Sequence, residues 1–552
     1  MDYAQYVRAT KGNTPVPQSE PVPGKDMHKN NAGAYSFKIN KWQQLDRFLI
    51  LGSVGGTYYA SERSLTKTNL ESIDECLRED AVRVINRIVE LSESGRAPKN
   101  DPALLILAKA SADANHRAVR QHAMNALPKI ARTGTHLFHF VEYAKYFRGW
   151  GRNFKRGIAN WYNEKSVQKL AYQLAKYKQR DGWSHRDLLR LSHPKANDPA
   201  RNLLFQKVTH PEIALAPSDN TGTEFYRIAD LVSIETDPGK AAELIRSHGV
   251  PRECVNTQLL NSRQVWEALL EKMPTTALIR NLGKLSSIGM TERYSEHSKR
   301  IVQQLMNSDI IQNARIHPIT ILGALKVYES GHGVKGALSW VPNREILEAL
   351  NDAFYLAFKF VEPTQKRYFL ALDVSGSMFG SPVNGMPGLD AATAAAAMAM
   401  VTLRTESDVI LKGFTRSDSL WGSPKSHQDF SGITDLNISK RMLLDQVIST
   451  MQGLPFGGTD CALPMLWATK HKQPVDAFIV YTDSETWAGA IHPFEALKRY
   501  RDTMGIPAKL IVAGMSATDV SIADPSDAGM LDVAGMDSNV PQIINQFISG
   551  DI

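Results

Sequence analysis

The chain has 552 residues, enough for two to four domains at about 150 residues per domain. Its 43% hydrophobic and 22% charged residues are ordinary for a globular protein and exclude a wholly disordered or fibrous chain. The formal net charge of +7 is unevenly spread, because residues 141–200 hold 13 basic and 5 acidic side chains whereas residues 364–552 hold 14 basic and 20 acidic ones. A local basic surplus of this kind favours a polyanionic partner.

The cysteines and the apolar segments indicate the compartment. Cys76, Cys254 and Cys461 are odd in number and too far apart in sequence for a CxxC metal site, so we expect reduced thiols buried in the core. The sequence has no apolar run near its N-terminus and no stretch of about 18 uncharged apolar residues. We therefore expect a soluble cytoplasmic protein, which would also be nuclear if the source is eukaryotic.

The first two predicted segments are an arm and a helical region. Residues 1–35 are rich in Pro, Gly, Asn and Lys, which predicts an extended or partly disordered N-terminal arm. Residues 36–363 carry helical periodicity, with Asp-Pro pairs at 101, 198 and 237 that predict capped helix starts. Ser184 and Asp187 have the spacing of a capping box. About ten or more helices without one repeat consensus predict an α-solenoid of irregular helical pairs.

Residues 364–552 change to alternating strands and helices. Four short apolar runs predict strands that are buried on both faces, with helical stretches between them. These runs are Tyr368–Leu372, Val409–Phe414, Ala477–Tyr481 and Lys509–Ala513. The alternation predicts a doubly wound, parallel α/β sheet, whose ligand sites lie at the carboxyl ends of its strands.

A set of oxygen ligands follows these strand ends. Asp373, Ser375 and Ser377 form the motif D-x-S-x-S after the first strand, Thr459 lies in a glycine-rich loop, and Asp483 follows a later strand. Two carboxylates with several hydroxyls suit a hard divalent cation, Mg²⁺ or Mn²⁺, with coordination positions left for water or a partner's acidic group. The pattern resembles the metal-ion-dependent adhesion site (MIDAS) of von Willebrand factor A domains, which implies these five residues as the ligand set.

The D-x-S-x-S motif has two other interpretations. The pentapeptide alone is also typical of a turn in which Asp and Ser bond to local backbone, although Thr459 and Asp483 make that interpretation weaker. Phosphoryl transfer through an aspartyl nucleophile occurs on the same kind of sheet. That chemistry needs a second Asp where Ser375 stands, so the sequence favours a site without catalysis.

The basic segment 141–200 is also rich in aromatic residues. Arg148, Arg152, Lys155 and Arg156 cluster in FRGWGRNFKRG. Helical spacing predicts that Lys165, Lys169 and Lys176 share one helix stripe that faces solvent, with Lys178 and Arg180 widening it. Cations of this kind neutralise phosphates, and aromatic or guanidinium planes stack on unpaired bases. The alternative is a solvated basic face over a core of Trp150, Trp161 and Trp183.

Five motifs in collinear order resemble the Ro autoantigen family of ribonucleoproteins and its bacterial relatives. The motifs are FLILGSVGGTYYASE, NFKRGIANWYNEK, KYKQRDGWSHRDLLRLSHPK, FLALDVSGSM and GGTDCALPM. The resemblance implies a ring of HEAT-like helical repeats, the TROVE module, at residues 36–363, closed by a von Willebrand factor A domain at 364–552. It also implies that Lys176, Arg180 and His193 contact RNA.

The resemblance implies an RNA-binding protein without catalytic activity that acts in noncoding RNA quality control. Small Y RNAs would bind the basic outer surface, and the single-stranded 3′ ends of misfolded RNAs would enter a central hole. The expected protein is a monomer with a divalent cation in the A domain. The alternative is a metal-dependent scaffold that recruits a ribonuclease or another partner through the A domain. A metal-dependent nuclease is a third hypothesis.

Overall fold

The structure is a computed structural model that describes residues 15–53, 57, 60–314, 316–334, 336–358, 362–383, 389–416, 432–452 and 457–551. The chain divides into two compact units. The helical unit is Ile73–Ala357, and the sheet unit comprises the chain up to Ser72 and from Phe358 onward. The predicted combination of a helical region with an α/β domain is confirmed.

The helical unit is built from helices that pack in neighbouring pairs. The helices are α2 (Glu62–Ser94, shared with the sheet unit and non-helical at Asp80), α3 (Asp101–Ser111), α4 (Arg117–Ile130), α5 (Gly134–Phe147), α6 (Arg152–Asn163), α7 (Val167–Lys176), α8 (His185–Ser192), α9 (Pro199–Thr209), α10 (Thr221–Ile234), α11 (Pro238–His248), α12 (Arg263–Glu271), α13 (Thr275–Ser287), α14 (Glu296–Leu305), α15 (Ser308–Asn313), α16 (Pro318–Glu329) and α17 (Arg344–Leu356). A short hairpin, β3 (Gln179–Arg180) and β4 (Trp183–Ser184), joins α7 to α8. The closest pairs include α3 with α5, α7 with α10, and α11 with α12, as expected when each helix buries its apolar stripe against another.

The predicted helix starts are largely confirmed. Asp198 and Asp237 each accept backbone N–H bonds at the starts of α9 and α11, and a proline occupies the first helical position. Ser184 and Asp187 form the predicted capping box of α8. Asp101 is the exception, because α3 begins at Asp101 itself and its cap residue, Asn100, makes no side-chain capping bond. Helix α3 therefore begins one residue earlier than the Asp-Pro pattern predicts.

Gly222 allows the backbones of α7 and α10 to approach closely. A Cβ atom at this position would lie 2.8 Å from the backbone carbon of Val167 and 2.9 Å from the backbone nitrogen of Gln168. Gly222→Ala should therefore destabilise the protein by about 1–3 kcal/mol, even though alanine is the better helix former. Urea unfolding followed by circular dichroism measures this change. Gly149→Ala is the control, because among the described residues no atom beyond its two chain neighbours lies within 4 Å of the new methyl group. It should change stability by less than about 0.5 kcal/mol.

The elements of the sheet unit are β1 (Met27–Lys29), β2 (Tyr35–Lys38), α1 (Lys41–Leu51), β5 (Arg367–Asp373), α18 (Gly376–Gly380), α19 (Ala391–Thr405), β6 (Asp408–Phe414), β7 (Ile433–Asp435), α20 (Leu444–Gln452), α21 (Leu463–Lys470), β8 (Ala477–Thr482), α22 (Pro493–Met504), β9 (Lys509–Gly514), β10 (Val520–Ser521), β11 (Met530–Ala534) and α23 (Val540–Ser549). Six of these strands form one sheet in the order β11-β9-β8-β5-β6-β7. The four predicted strands are present, and β5 is parallel to both β6 and β8. Their buried side chains pack beneath α21 and α22.

The sheet differs from the prediction at its edges. The edge strand β7 is antiparallel to β6, so the sheet is mixed and not purely parallel. The opposite edge, β11, is parallel to β9 and was missed by the sequence analysis. Most residues of β11 are only partly buried. Its sequence, MLDVA, therefore does not show the continuous apolar pattern that predicts a central strand.

Residues 15–35 are packed onto the sheet unit, in contrast to the predicted arm. Strand β2 pairs with β1 on one side and with β10 on the other. The buried Arg47 of α1 forms an ion pair with Asp532 and donates to the carbonyl of Thr518. These long-range bonds explain why the compact unit extends to Ser72 and does not begin near residue 364. Residues 1–14 lie outside the described residues.

Cys76, Cys254 and Cys461 are buried, as predicted, and none of them forms a disulfide bond within the described chain. In the described part of the chain, no helix has the length and apolar character needed to span a membrane.

Candidate functional site

The first candidate site lies where β5 and β8 end side by side. Asp373 is the last residue of β5 and Asp483 directly follows β8, and both side chains are buried. Because the two strands are parallel neighbours, the sheet brings residues 110 positions apart in sequence to the same edge. Thr482 donates a hydrogen bond to Asp373 Oδ2 at 2.7 Å.

The turn after β5 places both predicted serines against these carboxylates. The backbone N–H of Ser375 donates to Asp373 Oδ1 at 3.0 Å, which fixes the carboxylate. The hydroxyl oxygens of Ser375 and Ser377 lie 3.1 Å apart, and Ser377 lies close enough to Asp483 to lower the pKa of that carboxyl. The motif therefore gathers four of the five predicted ligands, Asp373, Ser375, Ser377 and Asp483.

Thr459 is the fifth predicted ligand and lies on a neighbouring loop. The N–H of Gly376 donates to the carbonyl of Gly457 at 3.4 Å, which holds this loop beside the serine turn. Thr459 itself is fully buried, and its carbonyl accepts the N–H groups of Trp487 and Ala488 at 3.0 Å. Within the described chain, neither Thr459 Oγ1 nor Asp483 Oδ2 has a hydrogen-bond partner. Buried oxygens normally have a partner, so these two suggest a ligand that the protein atoms do not supply.

The electrostatics of Asp373 and Asp483 also favour a cation at this site. Burial, and then the neighbouring carboxylate of Asp483, raise the pKa of Asp373. Burial also raises the pKa of Asp483, and the N–H of Glu485 and the hydroxyl of Ser377 oppose that rise. Two desolvated carboxylates repel each other, and a cation between them would remove the repulsion.

The donor set fits a hard cation. It consists of carboxylate and hydroxyl oxygens, which Mg²⁺ and Mn²⁺ prefer. The described residues include no cluster of three or more His, Cys, Asp or Glu side chains placed to hold a metal. A cation at this site would therefore depend on the hydroxyls of Ser375, Ser377 and Thr459, which disfavours zinc.

The N-terminal segment holds the loop that carries Asp483. Asn31 Nδ2 and the N–H of Ala32 donate to the Glu485 carboxylate at 2.6 and 3.0 Å. Gln18 Nε2 donates to Asp460 Oδ1 at 2.8 Å, next to Thr459. Sequence analysis missed these residues, because more than 440 positions separate the partners and no local pattern marks them.

The second candidate site is the basic region of the helical unit. Lys176 is half-buried at the end of α7, where its ammonium donates to the hydroxyl of Tyr172 at 3.2 Å and lies 3.9 Å from Glu253. Arg180, on β3, is exposed, and its guanidinium lies 3.7 Å from Asp181. His193 is an exposed, left-handed cap residue at the end of α8. All three predicted RNA contacts therefore reach solvent, Lys176 the least.

The four basic residues at and before the start of α6 differ in whether their charges are available to a ligand. The guanidinium of Arg148 donates to the carbonyl of Ser111 and stacks over the ring of Phe154 at 4.9 Å. Arg156 is exposed but bonds to Gln121. Arg152 is exposed and Lys155 half-exposed, and neither forms an ion pair or hydrogen bond through its side chain within the described residues. Arg152 and Lys155 are thus the cations of this group best able to bind phosphate.

The predicted stripe of lysines on one helix is wrong. Helix α7 begins at Val167, capped by Ser166, and ends at Lys176, so Lys165, Lys178 and Arg180 lie outside it. Lys165 instead covers the ring of Trp161, 3.5 Å from its centroid. Burial lowers the pKa of Lys165 to about 8. Lys169 alone of the three predicted stripe residues is an exposed helix cation.

His185 has a structural role. It is 2% exposed, and its Nδ1 lies 2.9 Å from the hydroxyl of Tyr162 while its ring stacks on Trp161. Gly134 packs closely against this ring, because a Cβ atom at that position would lie 2.8 Å from His185 Nε2. Burial lowers the pKa of His185 to about 3.

The lowered pKa of His185 makes the stability of the helical unit depend on pH. Between pH 6.5 and pH 3 the unfolded chain binds a proton at His185 that the folded chain does not, so stability falls as the pH falls. His185→Phe keeps the ring packing and removes the titration. Between pH 6 and pH 4.5 we expect wild type to lose roughly 1–2 kcal/mol more than His185→Phe, measured by urea unfolding followed by tryptophan fluorescence. An equal loss in both proteins would contradict this role.

Comparisons with known proteins identify the family of the chain. The TROVE domain family matches residues 28–219 and 235–327, and the Ro60 vWA domain family matches residues 367–548. The RNA-binding protein RO60 of Deinococcus radiodurans is 39% identical over 545 residues, covering 97% of this chain and 98% of that protein. The RNA-binding protein RO60 of Caenorhabditis elegans is 36% identical over 599 residues, covering 95% and 90% respectively. The crystal structure of the Deinococcus radiodurans RO (RSR) protein has a TM-score of 0.69 and 39% identity, covering 93% of this chain and 100% of that one. The chain therefore belongs to the Ro60 family, in which a TROVE domain is joined to a von Willebrand factor A domain.

Proposed function

We propose that this protein binds RNA through the basic region of its helical unit. The observation that carries the proposal is the solvent-accessible charge of Arg152 and Lys155, whose side chains form no ion pair or hydrogen bond within the described residues. The start of α6 adds to this charge, because its cap residue, Gly151, leaves the first N–H groups without a side-chain acceptor. Relatives that match nearly the whole chain are named RNA-binding proteins.

The proposed RNAs are small noncoding RNAs. Y RNAs would occupy the basic outer surface, and single-stranded 3′ ends of misfolded RNAs would enter the central hole that the family resemblance implies, as part of RNA quality control in the cytoplasm. Filter binding of a small structured RNA at rising salt should show a steep loss of affinity. Replacement of Lys176 and Arg180 by alanine should lower the slope of log affinity against log salt by about two. Binding that does not depend on salt would contradict the proposal.

The sheet unit is proposed to bind Mg²⁺ or Mn²⁺ through Asp373, Ser375, Ser377, Thr459 and Asp483. The unpartnered oxygens of Thr459 and Asp483 support this site. A bound cation would neutralise the two carboxylates and offer an open coordination position to an acidic side chain of a partner, such as an exoribonuclease. Capture of such a partner from a lysate should be lost in EDTA. Equal capture with and without EDTA would contradict a role of the cation in binding the partner.

We propose that the protein has no catalytic activity of its own. Asp373 and Asp483 are held by hydrogen bonds from Thr482, Ser375, Ser377 and Glu485, and the serine motif supplies no second acid for phosphoryl transfer. Radiolabelled RNA incubated with the protein and Mg²⁺ should remain intact. Cleavage that Asp373→Ala abolishes would instead establish a nuclease.

A further inference from the structure

A cleft of about 130 Å³ lies in the helical unit, and Lys176 of the proposed RNA surface lines it. It lies between the end of α7, the turn after α11, and helices α12 and α13. Its floor is apolar and buried, formed by Ile245, Val250, Ala268, Leu269 and Met273. Its volume is close to the roughly 150 Å³ of an apolar cavity that takes up benzene, so the cleft has room for one flat base ring while the sugar and phosphate stay at its rim.

Polar groups surround this apolar floor. Lys176, Arg252 and Lys272 bring three cations to the cleft, and Tyr172 adds an aromatic ring. Lys272 uses one N–H bond on the carbonyl of Arg246, at 2.6 Å, and its exposed ammonium has further donors available. Such cations suit the phosphate of a nucleotide.

The cleft also offers hydrogen-bond acceptors. Glu253 lines it with an exposed carboxylate, and Asn281 donates its amide to Ala277, so that its carbonyl oxygen can accept a bond. The amino and imino groups of a nucleobase are donors that such acceptors would bind. An acidic side chain has no donor for Glu253 or Asn281, whereas a nucleobase has donors for both and its phosphate matches the cations, so the cleft favours a nucleotide.

We propose that this cleft holds one unstacked nucleotide of single-stranded RNA, with its base on the apolar floor and its phosphate among Lys176, Arg252 and Lys272. The inference rests on the proposed RNA-binding function and adds a defined position for one base. Lys176 belongs to both the cleft and the predicted RNA surface, so RNA that contacts Lys176 lies at the cleft.

Filling the cleft tests the inference. Ala277→Phe places a ring in the space for the base, and Thr276→Phe adds the same ring at the neighbouring exposed position, which does not line the cleft. Fluorescence anisotropy with a mixed-sequence RNA of about 12 nucleotides should show roughly 10-fold weaker binding for Ala277→Phe, the loss of one stacked base. Thr276→Phe should bind within about 2-fold of wild type.

A second pair of variants covers the case in which Ala277→Phe does not fold. Lys272→Gln should lower the salt slope of binding by about one, whereas Lys240→Gln, an exposed lysine at the other end of α11, should leave it unchanged. In wild type, RNA substituted with 4-thiouridine should crosslink to peptides that contain Tyr172 or Met273.

The outcomes separate the two proposals. Absence of RNA binding by wild type would contradict the proposed function and this inference together. RNA binding by wild type with no difference within either variant pair, and with crosslinks only outside the cleft, would overturn this inference alone. In that case a protein segment would be the better candidate for the cleft.

Discussion

Reversing the charge of Arg152 and Lys155 should weaken RNA binding by roughly 100-fold and lower the salt slope by about two. Both side chains reach solvent and have no ion pair or side-chain hydrogen bond among the described residues, so a phosphate is their available partner. The variant Arg152→Glu with Lys155→Glu should fold normally, because acidic residues in the first turn of a helix stabilise it. Filter binding of a small structured RNA at several salt concentrations measures the effect.

The control reverses the same number of charges on the sheet unit. Lys470→Glu with Arg499→Glu changes two exposed residues that have no ion pair or side-chain hydrogen bond within the described chain. This variant has the same net charge as the first, so any difference between them reports position and not overall charge. Equal affinities for the two variants would mean that RNA is attracted by net charge alone and would contradict a localised interface.

Adding Mn²⁺ or Mg²⁺ to metal-free protein should raise the unfolding temperature of the sheet unit by roughly 5–10 °C when the cation is about 100-fold above its dissociation constant. Binding to the folded state alone gives this stabilisation. Asp483→Asn should abolish the rise, because it removes a ligand oxygen that has no protein partner. Without metal this variant should be at least as stable as wild type, since it removes one of two buried carboxylates that repel each other.

Asp476→Asn is the matched control for the metal site. Asp476 precedes β8, at the end of the strand opposite to Asp483, and binds Arg367 through hydrogen bonds of 2.6 and 2.9 Å. We expect this variant to be less stable than wild type but to keep its response to metal. Differential scanning fluorimetry with and without Mn²⁺ separates the two effects. A response that survives Asp483→Asn would exclude this site as the source of the stabilisation.

The sequence predicted well the features that depend on neighbouring residues. Capping of α8, α9 and α11 was predictable, because a cap side chain bonds to backbone two or three residues away. Strands β5, β8 and β9 were predictable, because strands buried on both faces are continuously apolar. Strand β6 was predicted on the same ground, although its first half is only partly buried. The MIDAS-like set could be listed because each member follows a predicted strand or a glycine-rich loop.

Other features depended on contacts between distant residues. Lys165 was expected to face solvent, and the fold instead places it over Trp161, where desolvation lowers its pKa. The cleft beside Lys176 is formed by helices that meet only after folding, so no sequence motif marks it.

The amino-acid sequence by itself determined the helical and α/β halves of this protein, its family and the residue types at both candidate sites. Tertiary structure alone decided that residues 15–72 join the sheet unit, since Asn31 and Gln18 bind partners more than 440 positions away. It also decided which cations are free, because the charge of an arginine is set by its chemistry whereas its availability depends on what packs beside it. Arg148 and Arg152 carry the same charge, yet the fold ties the first to Ser111 and Phe154 and leaves the second open to solvent.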